Sequence, residues 1–281
     1  MASGNVLRAA FACSLLVLAS AASAKDWKTV VIGMEGAYDP YNLTDPNGKI
    51  VGFEPDLAAD VCARIKVECK IIPQDWDGMI PGLQAGKFDV IMDGMSITDE
   101  RKKEIDFSIP YANVPAALAT AKASPLAKLP EAGKLINFNK DKAAGDAAIK
   151  MLREALKGKT IGVQVSTTHA NFASDHLKDV ATIKEYKTTD ERDLDLKSGR
   201  LDAILDDETE VLAMLAKDDA KDFTTFGPLL TGGDFGIGVG MGLRKSDADL
   251  TARFDTAIKA AFADGSIKKY SLKWFKIDTT P

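Results

Sequence analysis

Hydrophobic and polar positions along the chain switch repeatedly between a period of two and a period near 3.6. Lys28-Thr29-Val30-Val31-Ile32-Gly33 is a β-branched run ending on glycine, which predicts a buried strand that empties into a loop over 35–41. Asp45-Pro46-Asn47-Gly48 is a turn signal between Tyr41-Asn42-Leu43 and Ile50-Val51-Gly52-Phe53, so a hairpin-like excursion follows. Leu57, Val61 and Ile65 then fall at i, i+4 and i+8, the stripe of an amphipathic helix that carries Cys62, before a strand over 67–72. Trp76-Asp77-Gly78 opens a helix holding Met79, Ile80 and Leu83, and Phe88-Asp89-Val90-Ile91-Met92 is the next strand. Between 150 and 165 come a helix, the turn Lys157-Gly158-Lys159 and the strand Thr160-Ile161-Gly162-Val163. Ser166-Thr167-Thr168 offers an N-cap to a helix over 169–177; a strand over 201–205 and a helix over 208–216 complete the second half.

Such βαβ alternation predicts an α/β protein with parallel sheets covered by helices, and ligands in such sheets collect at the carboxyl ends of the strands. At 281 residues the chain exceeds one ordinary domain, so two lobes are expected. Gln84-Ala85-Gly86-Lys87-Phe88-Asp89-Val90-Ile91-Met92-Asp93 recurs in character as Leu196-Lys197-Ser198-Gly199-Arg200-Leu201-Asp202-Ala203-Ile204-Leu205-Asp206, each a helix end, a glycine turn and a strand finishing on an acid. Duplication of a lobe accounts for this, as does shared helix-to-strand turn chemistry. The glycines at 232, 233, 236, 238, 240 and 242 lack nucleotide-loop spacing and fit an extended segment approached closely by another backbone.

Composition narrows the function. Thirty-six basic against 41 acidic residues give a net charge of −5, which lacks the footprint of a nucleic-acid or anionic-membrane binder. No apolar run reaches the ~18 residues of a membrane span. Residues 1–24 read as an export signal: Arg8, an apolar block over 9–19, and Ala22-Ser23-Ala24, with cleavage expected after Ala24. Cys13 would leave with it. The remaining pair, Cys62 and Cys69, is read as a disulfide of an oxidising compartment, two free thiols being the alternative. A bridge closing so short a loop stabilises by about 2.5 kcal/mol in the chain-entropy model. The histidines, His169 and His176, lie about a hundred residues away, so no metal site and no cofactor is expected.

Catalytic signals are weak, since Ser166 and His169 lie one turn apart without nucleophile-elbow glycines and fit a helix cap instead. Recognition is better supported. The loops after the strands carry an acid with an aromatic (Glu35, Tyr38), an acid beside a tryptophan (Asp75, Trp76), a small polar turn ending in arginine (Gly94, Ser96, Thr98, Arg101) and hydroxyls at a helix start (Ser166, Thr167, Thr168). A carboxylate requires a fork of donors and a helix N-terminus, an ammonium requires an acid, and a cationic tail requires an acid and aromatic faces. Together these residue types suit a zwitterion.

Gly52-Phe53-Glu54-Pro55-Asp56-Leu57, the stretch over 76–89, Ser96-Ile97-Thr98-Asp99-Glu100-Arg101 and the ending Ala263-Asp264-Gly265-Ser266-Ile267-Lys268-Lys269-Tyr270 resemble the polar amino-acid-binding family of periplasmic solute-binding proteins. The resemblance spans the exported chain and is nearest to the opine binders for nopaline and octopine, then to the lysine-arginine-ornithine and histidine binders. It implies two α/β lobes joined by two crossover strands: lobe 1 from 25–115 and 234–281, lobe 2 from 116–233. It implies hinge closure on a small ligand, a monomer in the periplasm, and delivery to an inner-membrane ABC permease.

Position by position, the resemblance makes Arg101 the grip on the α-carboxylate, with Thr168 helping, and Asp207 the acid for the α-amino group. Ser96 falls at a hydroxyl ligand, Tyr38 and Trp76 at stacking aromatics, and Glu35 at the acid facing a basic tail. The sequence departs from basic-amino-acid binders at Asp93 and Gly94, where those carry small hydroxyl residues, at His169, where they carry an amide, and over 126–156, which the opine binders share. An opine is an amino acid whose α-nitrogen bears a second carboxylate branch. Gly94 is expected to leave volume for that branch, and Ser96, Thr168 and His169 to donate to its carboxylate. The expectation is a binding protein without catalysis, for an octopine- or nopaline-type arginine derivative, with arginine, lysine, ornithine or histidine as the alternative and a cleft dehydratase as the rival of another class.

Overall fold

A computed structural model describes residues 25–281. The export signal, its cleavage site and Cys13 lie outside the described residues. The chain begins with β1 (Thr29–Met34), followed by a small antiparallel ribbon of β2 (Ala37–Tyr38), β3 (Asn42–Thr44) and β4 (Ile50–Val51) around the Asp45-Pro46-Asn47-Gly48 turn. Next come α1 (Phe53–Arg64), β5 (Glu68–Pro73), a 3-10 turn at Trp76–Gly78 running into α2 (Met79–Gln84), β6 (Val90–Ile91), α3 (Asp99–Glu104) and β7 (Asp106–Phe107). The middle of the chain holds β8 (Ala116–Ala121), β9 (Leu135–Asn137), α4 (Lys142–Ala155), β10 (Thr160–Gln164), α5 (Thr168–His176) and β11 (Thr182–Tyr186). It continues with α6 (Thr189–Lys197), β12 (Ala203–Asp207), α7 (Glu208–Leu215) and β13 (Phe223–Thr231), then closes with β14 (Gly242–Leu243), α8 (Ala248–Ala263) and α9 (Ser266–Trp274).

These elements build two lobes, each a helix-flanked sheet. One sheet has the order β5-β1-β6-β14-β7, the other β11-β10-β12-β8-β13-β9. Both share a parallel core, β5-β1-β6 and β11-β10-β12, as the βαβ pattern predicts. The sheets are mixed around that parallel core, as a mostly parallel two-lobed fold allows: β14 runs antiparallel to β6 and β7, and β8 runs antiparallel to β12 and β13. The reason is direction of entry. β8 and β14 are the strands that arrive from the other sheet, so they start at the cleft where the parallel strands end, and must run the opposite way.

The two crossings are bound to each other. Val239 donates its N–H to the Ala112 carbonyl at 2.8 Å, Tyr111 donates to the Val239 carbonyl at 2.8 Å, and Ile97 donates to Gly238 at 2.8 Å. The glycine series serves this threading as expected: a Cβ on Gly238 would sit 2.9 Å from the Ala112 carbonyl oxygen, at a φ of +122°.

The repeated segment has one construction in both lobes. Asp89 takes the Val31 N–H on Oδ2 at 3.0 Å and returns its own N–H to the Val31 carbonyl at 2.8 Å; Asp202 does the same with Thr160 at 2.9 and 2.9 Å. Gly86 and Gly199, in the turns just before, both have φ of 74°. Cys62 on α1 and Cys69 on β5 are joined in a disulfide, with Cα atoms 6.1 Å apart. The stretch over 126–156 contributes β9, parallel to β13 at the sheet edge, and α4, whose Leu152 is fully buried in the second lobe's core.

Candidate functional site

Four parallel strands deliver their carboxyl ends to one cleft between the lobes: Glu35 follows β1, Asp93 follows β6, Gln164 ends β10, and Asp206 and Asp207 end β12. The cleft is narrow and walled by side chains from both lobes.

At one end stands Arg101, held from both lobes. Its Nη1 donates to the Ser96 carbonyl at 3.0 Å and its Nη2 to the Ser166 carbonyl at 3.2 Å, while its guanidinium carbon lies 5.3 Å from the Trp76 ring centre. Burial pushes its pKa down to about 10, still well above neutrality, so the group stays cationic. Facing it is the start of α5, where Thr167 caps the helix by accepting the Ala170 N–H at 3.0 Å. The first-turn amides beyond the cap, at Thr168 and His169, have no helical acceptor and are suited to an anion.

In the middle lie Asp207 and His169, both buried. Tyr41 donates its hydroxyl to Asp207 at 3.2 Å, and His169 Nε2 sits 3.4 Å from the other Asp207 oxygen without a hydrogen bond. Behind them Asp206 accepts the Tyr38 hydroxyl at 2.8 Å and the Asp207 N–H at 2.7 Å and pairs with Arg192. Burial alone would raise the Asp206 carboxyl, but the Arg192 guanidinium and the nearby His169 hold it below the ordinary range.

The far end is acidic. Gln164 Nε2 donates to both Glu35 oxygens at 3.0 and 3.2 Å. Burial pushes Glu35 up to about 7, against the Gln164 hydrogen bond and with help from Asp206, Asp75 and Asp77. Beside it Asp93 accepts the Glu35 N–H at 2.9 Å and the Asn42 amide at 2.7 Å on one oxygen, while the other has no partner. Burial, then Glu35 and Glu54, push Asp93 well above the carboxylate range.

Several of these bonds cross from one lobe to the other: Tyr38 to Asp206, Tyr41 to Asp207, Gln164 to Glu35, and the Trp76 indole to the Val165 carbonyl at 2.9 Å. Together with the Lys187 to Asp75 ion pair at 2.6 Å they describe a closed cleft.

Of the residues singled out in the sequence, Asp75, Thr98 and Ser166 lie outside the lining of this cavity and the others form part of it. Ser166 has φ of 59°, and it enters through its carbonyl on Arg101. Thr167 takes the place in the lining expected for it. Gly94 lines the cleft for a reason other than the expected one. Its φ is +58° and a Cβ there would lie 2.5 Å from the Tyr38 ring, so the missing side chain makes room for Tyr38 rather than for a ligand branch. Gln164 was not singled out, although a polar side chain closing the apolar strand Thr160-Ile161-Gly162-Val163 at its carboxyl end is a recognisable signal.

Residues 30–277 match the family model described as bacterial extracellular solute-binding proteins, family 3. The chain belongs to that family. The octopine-binding periplasmic protein of Rhizobium meliloti is 42% identical, with 98% of this chain and 99% of that protein covered. The L-arginine-binding protein of Pseudomonas aeruginosa is 36% identical over 95% of each chain. Among solved structures, an ancestral arginine-binding protein bound to arginine superposes with a TM-score of 0.74 at 31% identity, over 88% of this chain and 98% of that one. Family membership and these relatives agree with the two-lobed fold and with the resemblance read from the motifs. These relatives are named as binding proteins.

Proposed function

We propose that this family 3 solute-binding protein captures an arginine-derived opine in the periplasm and delivers it to a membrane ABC permease. The observation that carries the reading is the order of charges along one closed cleft: a buried guanidinium and a helix N-terminus, then Asp207 with an unpartnered histidine nitrogen, then the acids Glu35 and Asp93. An α-carboxylate belongs on Arg101 and the Thr168 amide, the α-nitrogen on Asp207, and a guanidinium tail on Glu35 among Trp76 and Tyr38. His169 Nε2, buried 3.4 Å from Asp207 and without a hydrogen bond among the described residues, supports the reading, since a ligand nitrogen on Asp207 would bring an opine's second carboxylate near it. The relatives named for octopine and for arginine support both the class and the tail. Residues 25–115 with 234–281 would move against 116–233 about the paired crossings.

The test is calorimetric titration of refolded, ligand-free protein with octopine, nopaline, L-arginine, L-lysine and L-histidine, with mass spectrometry of each mixture. Micromolar or tighter binding of an opine, equivalent to at least about 8 kcal/mol, with the ligand recovered unchanged, is the expected result. A clear preference for a free amino acid over both opines sinks the opine reading, and steady product formation sinks the reading of binding without turnover.

A further inference from the structure

The cleft holds one more acid than a zwitterion with a single cationic tail requires. Asp207 faces the α-nitrogen and Glu35 the tail, which leaves Asp93. It is 1% exposed, lines the same cavity, and keeps one carboxylate oxygen without any partner. The bonds recorded to Asp93 and Glu35 all come from neutral donors: backbone amide, Asn42 and Gln164. Beneath them Glu54 is already engaged by the Tyr111 hydroxyl, the Gly94 N–H at 2.8 Å and the Asn42 amide at 2.8 Å. The other charged groups facing this end are Asp206, bound to Arg192, and Asp75 and Asp77 at the rim, Asp75 being paired with Lys187. Among the described residues Asp93, Glu35 and Glu54 have no cation of their own.

We propose, building on the reading of this cleft as a site for a guanidinium-tailed ligand, that Asp93 is the second acid of a two-carboxylate receptor for the guanidinium, and that the receptor releases a proton as the tail enters. Two neighbouring carboxyls, Asp93 buried and Glu35 half-buried, with the Glu35 N–H donating to Asp93, do not both ionise readily without a cation, so the closed, ligand-free site retains a proton. A guanidinium offers five N–H donors in a plane, enough to serve both Glu35 and the free Asp93 oxygen, whereas an ammonium presents one compact charge with three donors. When it arrives, the O–H of the protonated carboxyl breaks, the electron pair stays on oxygen facing the guanidinium, and the proton leaves to solvent. Affinity for a guanidinium ligand therefore rises with pH between about 5 and 8, by at most tenfold per unit for each proton released. L-arginine, with one carboxylate and the same guanidinium tail, is the probe for this end of the cleft.

The experiment is titration with L-arginine and with its uncharged isostere L-citrulline at pH 7, in phosphate and in Tris, whose ionisation enthalpies differ. For the native protein the arginine enthalpy should depend on the buffer and report proton release, while citrulline should show little dependence. Asp93→Asn keeps an oxygen for the Glu35 N–H and the Asn42 amide; it should bind arginine at least tenfold more weakly, release less proton, and bind citrulline no worse than the native chain. A buffer-independent arginine enthalpy in the native protein overturns the proposal without any variant, as does an Asp93→Asn chain with native arginine affinity and native proton release. Failure of the native chain to bind arginine and octopine alike overturns the underlying functional reading instead.

Discussion

The corresponding strand-end acids of the two lobes, Asp93 after β6 and Asp206 closing β12, occupy matching places in the repeated segment and live in opposite surroundings. Asp206 is neutralised within its own lobe by Arg192, a fully buried guanidinium that also binds Asp193 at 2.7 Å and Glu210 at 2.8 Å. One guanidinium does not satisfy three acids, and burial, opposed by Arg192 but reinforced by Asp193 and Asp206, keeps Glu210 well above the carboxylate range. Among the described residues Asp93 has only amide donors. One lobe thus brings its own counter-ion to the cleft and the other leaves its charge for whatever enters. The two lobes share this strand-end construction, and unequal charge makes the halves face the cleft differently.

The largest effect should come from breaking the neutralised side. Arg192→Met strands buried acids without their cation, and loss of one partner from such a network costs about 3–5 kcal/mol. Chemical denaturation should show this destabilisation; an unchanged midpoint would mean that Arg192 does not neutralise the cluster. Next in size is Arg101→Lys, which removes the fork that suits a carboxylate. Losing a buried charge-assisted contact costs about 2–5 kcal/mol, so ligand affinity should fall at least thirtyfold while the melting temperature of the empty protein hardly moves. Native affinity in that variant would remove Arg101 from the site.

The smallest effect separates the two acids by pH. Asp206 is held low, so its contribution is present above the unfolded aspartate pKa of about 3.9 and is lost as pH falls through its folded value. Glu35 and Asp93 are held high, so between their unfolded values near 4 and their folded ones the unfolded chain gives up protons first, and stability declines as pH rises. For Glu35, raised to about 7, this loss develops between about pH 4.5 and 7 and amounts to no more than about 3 kcal/mol. Denaturation of the ligand-free protein at pH 5, 6 and 7 should show the decline, and saturating ligand should flatten it. Stability that climbs over that interval would contradict the assignment of unneutralised acids to the first lobe.

The strand ends, the Arg101 turn and the α5 cap were legible because each rests on a local pattern: an apolar run closing on a polar residue, or a hydroxyl ahead of a helix. The direction of β8 and β14 was not, since it follows from which lobe the chain is leaving rather than from any residue in them. Helix α6 escaped for a different reason. Its buried face includes Arg192, Asp193 and Asp195, so ion pairs replace the apolar stripe that marks a helix, and only the capping box of Thr188 and Glu191 announces it. Gly94 was noticed, but its purpose depends on where the Tyr38 ring lies, more than fifty positions away.

The hydrogen-bonded pairing of the two crossings, Ala112 and Tyr111 against Val239, bears on engineering. Two chain passages fastened side by side form one strap, and lobes that moved about it would rotate on a single pivot rather than twist or slide, so each point on the second lobe would travel a path fixed by that pivot. A pair of dyes, one on the exposed Leu194 side chain replaced by cysteine and one on the exposed face of α9 at Leu272, would report occupancy as a change in energy transfer without touching the cleft. The strap makes the protein a ready frame for an optical sensor of its ligand.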